Sequence, residues 1–405
     1  MYNPIDWLLS AEAVRSRCRE IYQLGLSNQL DHFSLHPEKL EQCADFVLET
    51  TCENYPDLDI PFHSRWRHFV VGNEDRWQLF CEQHPEIDNN EQARIGIDLV
   101  FVSVLLDAGV GEAWSYKDEK SGTTLSRSEG LAIASLDMFL RGDFSSGPNK
   151  PWQADAQGLM RLSRETLANG FQLSDANSLS GFDNRLELLH RLGQQLDRRF
   201  SRENDSNPRV SAFLEALKNK YSDSLSAGSL LHETLHNFVD MWPHGKVINN
   251  QCLGDVGVHS KISGEGITKN LVPFHKLSQW LSYSLVELLE WAGISVTDLD
   301  QMTGLPEYRN GGLLIDMGVL QAREHVLQGM HAATDEPIVE WRALTVCLLD
   351  ELAAIIRKNI NRTADELPLV KILQGGTWTA GRKIAKLLRS DGPPPIRLNN
   401  EGTVF

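Results

Sequence analysis

Apolar residues recur at three-to-four-residue spacing along most of the chain. The pattern predicts helices over 11–25, 37–54, 91–109, 126–140, 157–169, 183–198, 209–219, 228–242, 272–292, 312–330, 337–359 and 379–389. Some starts are marked by capping residues, as at Ser126 to Glu129 and at Asp183 ahead of Leu186, Leu189 and Leu192. Strict alternation is scarce, and only 69–71 and 246–249 are predicted to pair as short strands. Breaks fall at the Gly/Ser/Pro loop 142–152, the polar turn 201–208 and the long Gly-rich stretch 243–267. A loop as long as the last is expected to be functional. Past Pro393 the chain cannot be helical. The predicted fold is mainly α: an irregular multi-helix bundle with long functional loops. One mainly helical catalytic domain is expected over 1–405, with the region near 142–156 as the place where two lobes would divide.

Composition narrows the function. The formal charge of −16 repels phosphate backbones and anionic membrane surfaces, so a small molecule is expected as partner rather than nucleic acid or a membrane. The longest apolar run, Leu99–Leu106, falls short of the roughly 18 residues that span a bilayer. The N-terminal residues lack the charged start and apolar core of a signal peptide. Cys18, Cys43, Cys52, Cys81, Cys252 and Cys347 form no C-x-x-C pair, and scattered thiols lead us to expect a cytoplasmic location.

The sharpest short motif is LHETLHN at 231–237, an H-E-x-x-H. His232 and His236 would fall one helical turn apart as zinc ligands, with Glu233 activating water. A third ligand is wanting. Val239 stands where the extended motif needs glycine, and Asp255, near the right spacing, lies in the Gly-rich loop. The plainer reading is a helix whose core stripe is Leu231, Leu235, Phe238 and Trp242.

Other constellations carry more varied chemistry. PFHSRWRHFV at 61–70 packs His63, Arg65, Arg67 and His68 among aromatic residues, a pattern suited to binding oxygen-rich groups. Asp98 inside the apolar helix is expected to pair with Arg94, and Asp107 lies at that helix's exit before a Gly-containing turn. TGLPEYRNGGLLID at 303–316 sets Glu307, Tyr308, Arg309 and Asn310 between Pro306 and a Gly pair. A helix is expected to begin near Leu313, with Asp316 in its first turns. Trp280 with Tyr283 and Ser284, and Glu340, Trp341 and Arg342, add aromatic faces and charge. Phosphate-cradle and serine-nucleophile motifs are missing.

PFHSRWRHF, DLVFVSVLLDAG, RSEGLAIASLDMF, GLPEYRNGGLLIDMGVL, EWRALTVCLLDEL, GTWTAGRKIA and the terminal EGTVF together resemble the uracil catabolism protein 4 family of fungi and bacteria, from about residue 5 to Phe405. The resemblance implies action late in a pyrimidine-degradation route, cleaving ribosylurea to ribose and urea. That makes the expected enzyme an N-glycosidase, a ribosylurea ribohydrolase. By analogy of reaction, the fold would resemble helical base glycosylases.

Such cleavage passes through an oxocarbenium-like transition state that a carboxylate can stabilise. Asp316 or Glu307 is expected at C1′, with Asp107 and Glu129 as further carboxylates. Arg65 and Arg309 would hold the urea oxygen or ribose hydroxyls, and Arg67, His63, Tyr308, Trp280 and Trp341 would complete the site. No metal or other cofactor is expected. The missing phosphate loop favours an unphosphorylated ribose, although an arginine cluster could hold phosphate equally well. Two alternatives stay open: a metal-dependent ureide amidohydrolase using 232–236, and a non-enzymatic scaffold of the same route.

Overall fold

The computed structural model describes residues 4–107, 114–203, 205–242, 245–264, 266–389 and 392–399. It is mainly α. The elements that position the site are α1 (Ala11–Leu26), α2 (Asn89–Leu105), α3 (Arg127–Arg141), α4 (Ala227–Phe238), α5 (Lys276–Trp291), α6 (Tyr308–Asp316), α7 (Glu336–Asn359) and α8 (Trp378–Leu388). Helix α2 starts where the Asp88 side chain accepts the Glu91 N–H at 2.8 Å. Every residue from Ile95 to Leu105 is buried, as an all-round apolar helix requires. Helices α3 and α5 pack on α2, α4 packs on α5, α1 lies along α7, and α6 packs on both α7 and α8. The buried apolar side chains form one cluster that runs from Ile5 to Ile396.

Strands are short and paired two by two. Val70–Val71 pairs with Glu74–Asp75, and Val247–Ile248 with Gln251–Cys252, where the sequence predicts local pairing. Other pairings join distant parts of the chain. Phe33–Leu35 runs antiparallel to Leu320–Ala322, with Phe33 opposite Ala322, and Ser295–Thr297 runs parallel to Ser224–Ser226.

Several boundaries differ from the pattern. The helix predicted over 157–169 is two, Ala156–Arg161 and Arg164–Gly170, because Ser163 caps a fresh start by accepting the Thr166 N–H at 3.0 Å. The helix predicted from 272 begins at Lys276, since Leu271–Pro273 is a strand. The span 312–330 holds the end of α6, a turn at Gly318 with φ of 73°, a strand and the short helix Glu324–Gln328. The expected helix over 91–109 ends at Leu105, and its last two positions lie outside the described residues.

The correction at α6 bears most on function. This helix begins at Tyr308, not near Leu313, because the Glu307 carboxylate caps it by accepting the Arg309 and Asn310 N–H groups at 2.8 and 2.6 Å. The Gly pair is not a breaker. A Cβ at Gly311 would lie 2.7 Å from Trp341 Nε1, so the glycine lets α6 approach α7 closely. Asp316 is therefore the last residue of α6, roughly 13 Å along the axis from Glu307 at 1.5 Å per residue. Its two oxygens accept from Arg389 Nη1 and Nη2 at 2.8 and 2.5 Å.

The expected Arg94–Asp98 pair does not form. Asp98 is fully buried and accepts from Arg209 Nε at 2.8 Å, the Ser211 N–H at 2.7 Å and the Ala154 N–H at 3.2 Å. Arg94 turns outward to Glu215 at 3.0 Å. The i,i+4 spacing allowed the pair, but Asp98 faces the interior, where a second segment delivers its cation and two N–H donors.

Two stability measurements test this reading. Arg209→Met leaves Asp98 buried without its cation and is expected to lower unfolding free energy in urea by about 3 kcal/mol. Asp316→Asn, which weakens the tie between α6 and Arg389, is expected to cost about 2 kcal/mol in the same assay. A shift below about 0.5 kcal/mol in either would contradict the role assigned here.

Candidate active site

Arg65 gathers the site. It opens the short 3-10 helix Arg65–Phe69, which lies against α5: Ser284 Oγ accepts the Arg65 N–H at 2.9 Å, and the Ser284 carbonyl accepts Trp66 Nε1–H at 3.0 Å. The guanidinium has no solvent contact. Its Nε donates to Ser103 Oγ of α2 at 2.8 Å. Its Nη1 reaches Asp107 Oδ2 at 2.8 Å, the Ser128 carbonyl of α3 at 3.2 Å and His68 Nδ1 at 3.3 Å. Because arginine only donates, His68 Nδ1 accepts, and the neutral ring carries its proton on Nε2. Burial alone would raise the Asp107 carboxyl, but the Arg65 charge and the Ser128 hydroxyl outweigh it and hold the group below the usual carboxylate range.

A second group, from the starts of α5 and α6, lies within the electrostatic field of the first. Burial pushes the Glu307 carboxyl up, against its two capping N–H bonds and the charge of Lys276. Burial pulls the Lys276 ammonium down, against the charges of Glu307, Asp107 and Asp255. Tyr308 is raised by burial and lies within the fields of Arg309, Glu307, Arg127 and Asp107. His68, Asp107, Lys276, Glu307 and Tyr308 are each surrounded by protein as core residues are, yet each keeps part of its surface in contact with solvent. Groups both deep and wetted line a recess.

Aromatic rings wall it. The His63 ring lies 4.6 Å from Trp280 and 6.3 Å from Trp378, and the His68 ring 6.0 and 6.2 Å from the same two. His63 Nδ1 pairs with Gln374 Oε1 at 2.9 Å, and burial pulls this histidine down to about 4, so it is neutral near pH 7. Two buried donors, Trp280 Nε1 and Arg65 Nη2, have no hydrogen-bond partner among the described residues.

Of the residues expected from the sequence, the structure brings together Arg65, His63, Asp107, Glu129, Trp280, Glu307, Tyr308 and Arg309. Glu129 joins through Arg382 Nη1 at 2.9 Å, and both Arg309 and Arg382 lie over the Trp378 indole, at 5.7 and 5.6 Å. Three do not join. Asp316 is tied to Arg389 at the far end of α6. Arg67 donates to both oxygens of Glu287, at 2.8 and 3.1 Å. Trp341 is core, with its Nε1–H on the Gly311 carbonyl at 3.1 Å.

Sequence reasoning missed Lys276, Trp378 and Arg382. Trp378 and Arg382 stand one turn apart in GTWTAGRKIA, a spacing that signals a shared face. Lys276 carries no such signal.

The H-E-x-x-H residues lie on α4 and are engaged structurally. His232 and His236 rings stack at 6.2 Å, and His232 Nδ1 meets the Leu9 carbonyl at 3.3 Å. Glu233 accepts from Lys220 Nζ at 2.6 Å and the Tyr221 hydroxyl at 2.9 Å. Asp255 is held by both Nη atoms of Arg342 at 2.9 and 2.7 Å. Among the described residues no three His, Cys, Asp or Glu side chains are grouped to hold a metal. No described helix is long and apolar enough to cross a membrane.

Comparison with known proteins follows the whole chain rather than a fragment. The chain is 38% identical over 411 aligned positions to Protein urg3 of Schizosaccharomyces pombe, covering 98% of each. It is 34% identical over 438 positions to Uracil catabolism protein 4 of Lachancea kluyveri, covering 100% of this chain and 99% of the relative. Residues 7–405 match the family described as Protein of unknown function (DUF1688). With the match running from the first helices to the last residue, the chain belongs to the DUF1688 family.

Proposed function

We propose that this protein acts in uracil catabolism and there hydrolyses the N-ribosyl bond of ribosylurea, giving ribose and urea. The name of the relative from Lachancea kluyveri supports the pathway. The observation that carries the chemistry is the pair of carboxyl groups in one recess driven in opposite directions, Asp107 down and Glu307 up. Environments that separate two carboxyl groups in this way suit one to work ionised and the other to carry a proton.

In this reading Asp107 stays ionised beside Arg65 and faces C1′. It stabilises the positive charge that grows there and takes a proton from the attacking water. Glu307, supported by Lys276, gives a proton to the departing urea nitrogen. Water oxygen bonds to C1′ as the C1′–N bond breaks, and both carboxyl groups regain their starting forms by exchange with solvent. The aromatic walls suit the apolar face of the sugar. The rings and the ordered N-cap hold the groups before substrate arrives, which limits reorganisation during the reaction.

The test is to incubate the purified protein with ribosylurea and assay urea and free ribose. Asp107→Asn and Glu307→Gln are each expected to lower kcat by roughly 10²–10⁴. Full turnover in both folded variants, or no turnover by the parent protein, would sink the assignment. The pH profile supplies a separate check. The active form needs Asp107 deprotonated, at a pKa below the usual range, and Glu307 protonated, at a pKa above it. Activity should therefore rise as pH climbs through the first and fall as it passes the second, and Glu307→Gln should erase the alkaline limb from its residual rate. An alkaline limb unchanged in that variant would remove Glu307 from the proton-donating role.

A further inference from the structure

The charges around the recess do not cancel. Asp107 is matched by Arg65 at 2.8 Å, Glu129 by Arg382 at 2.9 Å and Asp255 by Arg342 at 2.7 Å. Glu307 lies in the fields of both Lys276 and Arg309. Two arginines form no ion pair among the described residues. Arg309 is 6% exposed, and its guanidinium makes no hydrogen bond or ion pair among the described residues. It is held instead between rings, 5.1 Å from the Tyr308 centroid and 5.7 Å from that of Trp378. Arg127, half-buried at the start of α3, likewise has no ion-pair partner among the described residues, and its charge reaches Tyr308 together with that of Arg309.

Stacking engages the faces of a guanidinium and leaves its edge of five N–H donors open. A buried charge with an open edge is unfavourable unless a ligand oxygen completes it. In a chain of formal charge −16, two arginines without ion-pair partners beside one recess are a local inversion of the overall field. Their sum matches a phosphate monoester, which carries about −1.5 to −2 near pH 7 and presents oxygens that fit the arginine fork.

We propose that the substrate carries a phosphate monoester on its ribose, held by Arg309 and Arg127, so that the bond cleaved is that of a 5′-phosphorylated ribosyl ureide. The choice of ribose as the carrier rests on the N-ribosyl reading above; the anion subsite stands on the two arginines alone. The donor edge of Arg309 sits two residues from Glu307, so phosphate binding and proton donation share one rigid helix start. The reaction balances as for the plain ureide: water enters, the C1′–N bond breaks, and ribose 5-phosphate and urea leave. The phosphate is untouched.

Two measurements test it. In turnover, kcat/KM for ribosylurea 5′-phosphate is expected to exceed that for ribosylurea by roughly 10- to 100-fold, the range of one or two charge-assisted hydrogen bonds. Arg309→Gln should collapse that ratio toward one, and Arg309→Lys should restore part of it. Equal rates on the two substrates, or a ratio unmoved in Arg309→Gln, would overturn the proposal while leaving N-ribosyl hydrolysis intact. In binding, calorimetry with ribose 5-phosphate, ribose and inorganic phosphate needs no turnover. Ribose 5-phosphate should bind the parent protein at least tenfold more tightly than ribose, with the difference lost in Arg309→Gln. Preserved phosphate binding with no cleavage of either ureide would overturn the N-glycosidase reading and keep the subsite. Indifference to phosphate would overturn the subsite.

Discussion

Arg65 is a charged side chain with no access to water, and five groups from four parts of the chain receive or support it. Isolated, such a guanidinium would be strongly unfavourable in the interior, and burial does pull it below the ordinary arginine range. Asp107 meets most of its charge, Ser103 and the Ser128 carbonyl take further N–H groups, and Ser284 fixes its backbone. The consequence is geometric. The end of α2, the start of α3 and the middle of α5 cannot shift independently without leaving a buried charge unpaired, a loss of several kcal/mol.

From that hub the rest of the recess follows. Arg65 donates to His68 and thereby sets its tautomer, and it keeps Asp107 ionised where burial would neutralise it. Helix α5 presents Lys276 and α6 presents Glu307, whose carboxylate is held by the first N–H groups of its own helix. Glutamate is not among the residues that usually cap helices, which favours Ser, Thr, Asp and Asn. The longer side chain here turns back to cap while staying at a wetted surface. Glycines at 311 and 381 let α6 press against α7 and α8: a Cβ at Gly381 would come within 2.4 Å of the Arg309 carbonyl. Backbone contact of this kind is what brings Trp378 over Arg309.

Much of this was legible in the chain before it folded. The clusters 61–70 and 303–316 each contributed residues to the recess, and Asp107 was marked by its place at the exit of an apolar helix. Where reading failed, it failed for identifiable reasons. Asp316 attracted interest because a helix was expected to begin near Leu313. The Gly pair that suggested so is a packing device, and Asp316 went to the far end with Arg389. Arg67 and Trp341 have the right chemistry on the wrong side of their elements, one on Glu287 and one in the core. The pairing of Asp98 with Arg209 rather than Arg94 shows the same limit, since i,i+4 spacing permits a pair without excluding a better donor from elsewhere.

Sequence alone determined the helical character, the position of the most buried helix, and which short stretches hold dense mixed chemistry. These depend on periodicity and local composition, which adjacent residues carry. Tertiary structure alone decided which charges meet. Lys276, Trp378 and Arg382 acquire their role only because α3, α5, α6 and α8 converge, and Arg309 is left with its faces on rings and no ion pair only by that same convergence. Ionic pairing and desolvation depend on distance through space, and separation along the chain does not encode it.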